Sequence, residues 1–202
     1  KNQEKIIANA NVKFIDSKKD IIIDAKKITY FKKIKKILTE GQTKAYLQSK
    51  YKFESKNVEF LENKMKLSSS NKTIITDDNF SLYKLGSFNY QIKNEFLKGT
   101  DVTIIENTNL PIGESDQLYF KNGFFDLKNK NYSAASTEIK LKKNIFDRKE
   151  NDPRIYGVSS SKKNNITSIK KAVFTSCKKT DTCPPWRLEA SEIKHDKNKK
   201  QL

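Results

Sequence analysis

The chain has 202 residues and a formal net charge of +17, from 41 Lys+Arg and 24 Asp+Glu. One His and two Cys cannot supply a multi-histidine metal site or a pair of zinc knuckles, and no apolar run approaches the roughly 18 residues of a helical membrane span. No apolar leader follows Lys1, which leaves room for a secreted chain whose signal has been removed.

Only Arg148, Arg154 and Arg187 are arginines, so nearly all the positive charge is lysine spread along the chain. Lysine is a point charge without the planar fork that grips phosphates and guanine edges. The charge therefore reads first as a solvated basic surface, and second as a surface that attracts a polyanion, an anionic glycolipid included.

From the amino terminus, a first strand is expected around Ile6, Ile7, Ala8, Ala10 and Val12. A repeat follows. Ile21, Ile23, Ala25, then Ile28 and Tyr30 recur thirty residues on as Tyr51, Phe53, Ser55, then Val58 and Phe60. They recur again as Ser81, Tyr83, Leu85, then Phe88 and Tyr90, and with a changed interval as Leu118, Phe120, Asn122, then Phe125 and Leu127. Near the end stand Trp186, Leu188, Ala190, then Ile193 and His195, while Ile37, Leu67 and Leu97 are also thirty apart.

The period within each unit is two, the signature of a strand with one buried face. The extra residue after the third inward position demands a bulge or corner, since a one-residue slip would flip every later side chain. Polar turns are expected at Glu62-Asn63-Lys64, Lys93-Asn94-Glu95 and Lys128-Asn129-Lys130-Asn131. No segment has a helical period. Units whose apolar faces cannot be buried alone must stack. The expected fold is all-β: stacked antiparallel strands in two facing sheets around an apolar interior, in one domain over 1–202. Residues 142–168 read as loop-rich, with a short strand at Arg154-Ile155-Tyr156-Gly157-Val158 between polar runs.

The most specific stretch is Phe174-Thr175-Ser176-Cys177 followed by Cys183-Pro184-Pro185-Trp186 and the strand ending Ala190, Ile193, His195, Asp196. It resembles the end of the periplasmic domain of the LptD family of lipopolysaccharide-assembly proteins. The thirty-residue repeat is similar to the OstA-like β-jellyroll that this family shares with LptA and LptC, over roughly Ile6 to Leu202. The resemblance implies a domain on the periplasmic side of the outer membrane. It would take lipopolysaccharide from LptA, added to the edge at Ile6, Ile7, Ala8, Ala10 and Val12, and pass it toward the LptD barrel and LptE. Because the chain stops where that barrel would begin, a domain fragment is expected.

The inward residues become an acyl-chain groove in this reading: Ile21, Ile23, Ile28, Tyr51, Phe53, Val58, Phe60, Tyr83, Leu85, Phe88, Tyr90, Phe120, Phe125, Leu127, Trp186 and Leu188. Trp186 would fill one end, and His195 would sit at the rim or inside. Exposing hydrocarbon to water costs about 0.8 kcal/mol per methylene, which is what such a groove would remove. Two cysteines so close in a secreted chain suggest a Cys177–Cys183 bond of small entropic effect, or free thiols awaiting distant partners. By the resemblance, Cys177 matches a cysteine joined to the barrel. No catalytic motif, cofactor or metal site is expected. A basic β-sheet module for nucleic acid, with aromatics exposed, and a dry structural β-solenoid are the rival readings.

Overall fold

The computed structural model describes residues 4–111, 113–142, 152–178, 186–196 and 199. These residues are all-β: β1 (Lys5–Asp16), β2 (Ile21–Phe31), β3 (Lys36–Leu47), β4 (Tyr51–Lys56), β5 (Glu59–Leu61), β6 (Lys66–Ser69), β7 (Thr73–Asp77), β8 (Leu82–Leu85), β9 (Ser87–Gln91), β10 (Phe96–Ile105), β11 (Gln117–Asp126), β12 (Asn131–Lys140), β13 (Arg154–Lys163), β14 (Ile166–Thr175) and β15 (Leu188–Asp196). Two of the expected turns, at Glu62–Lys64 and Ile92–Asn94, are single turns of 3-10 helix closed by left-handed Met65 and Glu95.

All strands join antiparallel into one sheet, and its middle closes on itself. Residues 42–47 of β3 pair with β4, and residues 36–38 pair with β5. Residues 103–105 of β10 pair with β8, and residues 96–100 pair with β9. Through β4, β7 and β8 on one side and β5, β6 and β9 on the other, the hydrogen-bonded path returns to its start as a barrel-like ring. β2 and β1 extend this ring at one end, and β11 to β15 extend it at the other.

The pairs β4/β5, β7/β6 and β8/β9 are each one course broken at a bend, and the longer strands bend without breaking. The bends stack into a crease. Gly41 (φ +80°), Asn57 (+49°), Asp101 (+47°), Ser136 (+51°) and Lys171 (+47°) all lie in the left-handed region there. At the crease Thr100 faces Asn122 and Val102 faces Phe120; the skipped pair, Asp101 and Lys121, forms a 2.7 Å ion pair outside. The extra residue of each repeat unit is therefore the fold line. It lets the alternation restart with apolar side chains still inward.

The crease divides the sheet into two arms, each with an unbroken row of directly opposed inward residues. The first runs Phe14, Ile23, Ala45, Phe53, Ile75, Tyr83, Ile104, Leu118, Ile139, Ile155 and Phe174, and ends opposite the exposed Leu188. The second runs Tyr30, Ile37, Phe60, Leu67, Tyr90, Leu97, Phe125, Tyr132, then turns polar at Lys162, Thr167 and His195. At about 4.8 Å per strand the first row is about 50 Å long. The thirty-residue period is two courses of fifteen, each crossing the crease through both arms before the chain turns back.

Beside the crease the arms converge, and small hydroxyl side chains face each other there. Thr39 bonds Thr43 at 2.7 Å, Ser55 bonds Thr73 at 2.8 Å and Thr137 bonds Ser160 at 2.7 Å, so these buried groups are satisfied. Where a bulky residue occupies this narrow layer, a glycine faces it. A Cβ on Gly99 would stand 2.4 Å from Leu85 Cδ2, and one on Gly157 would stand 2.3 Å from Ile169 Cγ2.

Several expectations need correction. Much of the stretch read as loop-rich, residues 154–163, is the ten-residue strand β13, and Asn164-Asn165 is only its turn. The serines and lysines there alternate in and out without apolar markers. Asn122 is exposed and Gly123 takes the inward place, because the bend falls one residue earlier than the sequence suggests. Trp186 and Leu188 do not fill the interior: they are 47% and 53% exposed, on β15 or just before it, where no further described strand covers them.

Candidate functional site

The expected groove residues divide into two groups. Ile21, Ile23, Ile28, Tyr51, Phe53, Val58, Phe60, Leu85, Phe88 and Tyr90 are buried to 5% exposure or less and pack ring on ring. Phe53 lies 5.3 Å from Phe88 and 5.1 Å from Tyr90, and Tyr51 meets Tyr90 edge-on at 5.8 Å. This end is a closed core rather than a trough.

Tyr83, Phe125 and Leu127 instead line an open cleft of about 220 Å³, together with Ser81, Ile104, Leu118 and Tyr132. Phe120 lies beneath it, 5.7 Å from Phe125 and 5.0 Å from Tyr132. A narrow extension of about 20 Å³ continues along Ile139, Ile155 and Ile169 to His195. Glu106 and Lys162 line both parts. Their 3.7 Å ion pair spans from one arm to the other, with the Lys162 side chain only 12% exposed.

What separates the two ends is the side opposite the crease, where all the turns lie. At the amino-terminal end Lys50 Nζ and Tyr51 OH each donate to Glu95 Oε2 at 2.7 Å, tying the turn of one arm to that of the other. Further along, the short turn of the first arm is replaced by the long connection 106–116, and the lips part above Tyr83 and Phe125.

The cleft rings stay neutral. Burial, then the neighbouring Asp77 charge, raises the Tyr83 phenol, whose OH donates to Asp77 Oδ2 at 3.4 Å. Burial pushes the Tyr132 phenol up to about 12. The site offers a slot with apolar walls whose charged groups lie at its mouth and, as Glu106 and Lys162, where it narrows.

At the amino-terminal end, among the described residues, β1 pairs only with β2, and its other edge is open. Ile6 and Ile7 on it are about half exposed, while Ala8 and Val12 are partly buried. Ala10 (φ +70°) and Asn11 (+56°) form the bulge at the crease. At the other end Cys177 is a free, buried thiol 3.7 Å from the Trp186 carbonyl. Cys183 and Pro184-Pro185 lie outside the described residues. Arg154 is buried beside this corner and donates from Nη1 to the Asp152 and Cys177 carbonyls.

The sequence pattern did not single out Ile104, Tyr132, Ile139, Ile155, Ile169 and above all Lys162. For Ile104, Tyr132, Ile139 and Ile169 the thirty-residue comparison sampled only alternate courses, which run the other way, and Ile155 fell in the stretch read as loop-rich. An inward lysine carries no such signal. Set against known proteins, no family model matches the chain, and no curated protein matches it.

Proposed function

We propose that the chain is a carrier domain of lipopolysaccharide assembly, an OstA-like β-jellyroll on the periplasmic side of the outer membrane. It carries rather than catalyses. It receives lipopolysaccharide from LptA and guides acyl chains along the apolar cleft toward an LptD barrel and LptE. One observation carries this reading. The folded sheet keeps an apolar slot open to the side, between Tyr83, Ile104 and Leu118 on one arm and Phe125, Leu127 and Tyr132 on the other. An amphiphile can lie there with hydrocarbon inside and headgroup out, which offsets the cost of exposing methylenes to water. The open edge of β1 supports strand addition by LptA, which would continue both arms. A periplasmic address also suits the cysteine pair, since an oxidising compartment allows the disulfide to a barrel cysteine that the resemblance implies for Cys177.

The closed core around Phe53 and Tyr90 favours the second reading, a structural β-stack in which the cleft is a packing defect. Photo-crosslinkers at Leu118 and Phe125 decide between them. Capture of lipopolysaccharide there, and not at outward Glu54 or Lys84, supports the carrier; capture at neither inward position supports the stack. For the edge, Ala8→Pro is the informative variant, because the +70° φ at Ala10 already excludes proline. LptA binding that survives Ala8→Pro overturns strand addition.

A further inference from the structure

The turns opposite the crease form two continuous lips. On the second arm, Glu62 N–H donates to Lys35 O at 3.0 Å, Ile92 N–H to Met65 O at 2.9 Å, and Leu127 N–H to Glu95 O at 3.0 Å, so successive turns are joined in a row. On the first arm, Gln48 N–H donates to Asp20 O at 2.8 Å and Thr108 N–H to Phe80 O at 2.8 Å.

Their charges are opposite. The second lip carries Lys35, Lys64, Lys93, Lys128 and Lys130, all exposed and none in an ion pair among the described residues. Lysines on the outer faces are often spent across strands instead, as in Lys27–Glu40 at 2.6 Å and Lys121–Asp101 at 2.7 Å. The acids of the second lip are engaged. Glu95 is held by Lys50 and Tyr51, Asp126 accepts from the Asn129 backbone and side chain, and Glu62 lies beside Tyr30 and Lys19. Beside the cleft the first lip is acidic over two connections: residues 77–81 and 106–116 contain five carboxylates and no lysine or arginine, whereas the next connection on this lip opens with exposed Lys142. In a chain of net charge +17, this asymmetry does not follow from composition.

We infer that the second lip is a rail for phosphate groups on the head of an amphiphile whose hydrocarbon occupies the cleft, while the acidic first lip turns that head to one side. The inference rests on the apolar-cleft reading and adds which edge holds the charge. Neighbouring turns on one lip are two strands, about 10 Å, apart. A phosphate midway is thus within the ~8 Å screening length of an ammonium on either side. Exposed ion pairs contribute about 0–1 kcal/mol each, so every station holds weakly and the head can step onward.

The test uses the full chain with dodecyl phosphate, dodecanol and inorganic phosphate, reading affinity by calorimetry and cleft occupancy by hydrogen exchange at Ile104 and Leu118. Lys128→Glu/Lys130→Glu at the cleft mouth weakens dodecyl phosphate about ten-fold, and Lys64→Glu/Lys93→Glu farther along weakens it about three-fold. The charge-matched control Lys84→Glu/Lys170→Glu on the outer faces changes it less than about two-fold, and dodecanol binds all variants alike. A control as damaging as the lip variants overturns the rail in favour of net charge. An effect confined to Lys128 and Lys130 overturns it in favour of one local contact. Inorganic phosphate binding as tightly as dodecyl phosphate overturns the amphiphile as its ligand. Dodecanol protecting Ile104 and Leu118 while no lysine variant matters sinks the rail alone. Protection by neither amphiphile sinks the cleft reading and the rail with it.

Discussion

Lys50 and Glu95, 45 residues apart in sequence, meet at 2.7 Å across the side of the sheet opposite its crease, with Tyr51 OH on the same carboxylate oxygen. Burial would raise the Glu95 carboxyl, but the hydrogen bonds from Lys50 and Tyr51 outweigh it and hold the group below its ordinary 4.5. A depressed carboxyl contributes stability that is present above its unfolded value and lost as pH falls through the folded one. Glu95→Gln is therefore expected to lower stability by about 2 kcal/mol at pH 7 and progressively less as the pH drops below about 4. Urea unfolding of both proteins across that range measures it; an equal difference at every pH contradicts the charge-based account.

The narrow layer at the crease makes two glycines behave differently. Gly99→Ala forces its methyl against Leu85 and Val102 and is expected to cost about 2 kcal/mol by overpacking. Gly41→Ala meets nothing within 4 Å but must hold φ +80°, costing about 1 kcal/mol from backbone strain alone. Unfolding midpoints rank the two. Making room with a compensating Leu85→Ala should recover stability in the Gly99 variant and not in the Gly41 variant.

Glu106 and Lys162 bridge the arms where the cleft narrows. Lys162→Glu places two carboxylates together and should speed amide exchange at Leu118 and Thr167 several-fold. The exchanged pair Glu106→Lys/Lys162→Glu should restore slow exchange. The stability change is at most about 1 kcal/mol, since the contact is long and partly wet. Unaltered exchange in the single variant would mean that the pair does not hold the arms.

Thr175 ties the carboxy-terminal corner together. Its hydroxyl donates to Trp186 O at 3.0 Å and accepts from Cys177 N–H at 3.2 Å, while Phe174 meets the Trp186 ring edge-on at 5.7 Å. Thr175→Val keeps the shape and removes both bonds. Because Trp186 is the sole tryptophan, its emission should shift to the red and Cys177 should alkylate faster. No change in either signal would show that ring packing alone holds the corner.

The alternation Ile21-Ile23-Ala25, broken once and resumed at Ile28 and Tyr30, by itself determined that the chain would be strands stacked around an apolar interior. Periodicity reports which face of a backbone must leave water, and it also located the fold line, because a flipped alternation has to be restored by a bend. It could not tell a filled interior from an open one. Phe53 and Tyr83 occupy matching places in the repeat, yet one is locked among rings and the other borders a cleft. That difference was decided only in three dimensions, by whether the lips are tied by Lys50, Tyr51 and Glu95 or held apart by the long connection after Glu106. It also took the folded sheet to align lysines of successive turns, about thirty residues apart, on one lip and carboxylates on the other, since charge placement across strands follows from pairing rather than from any local pattern.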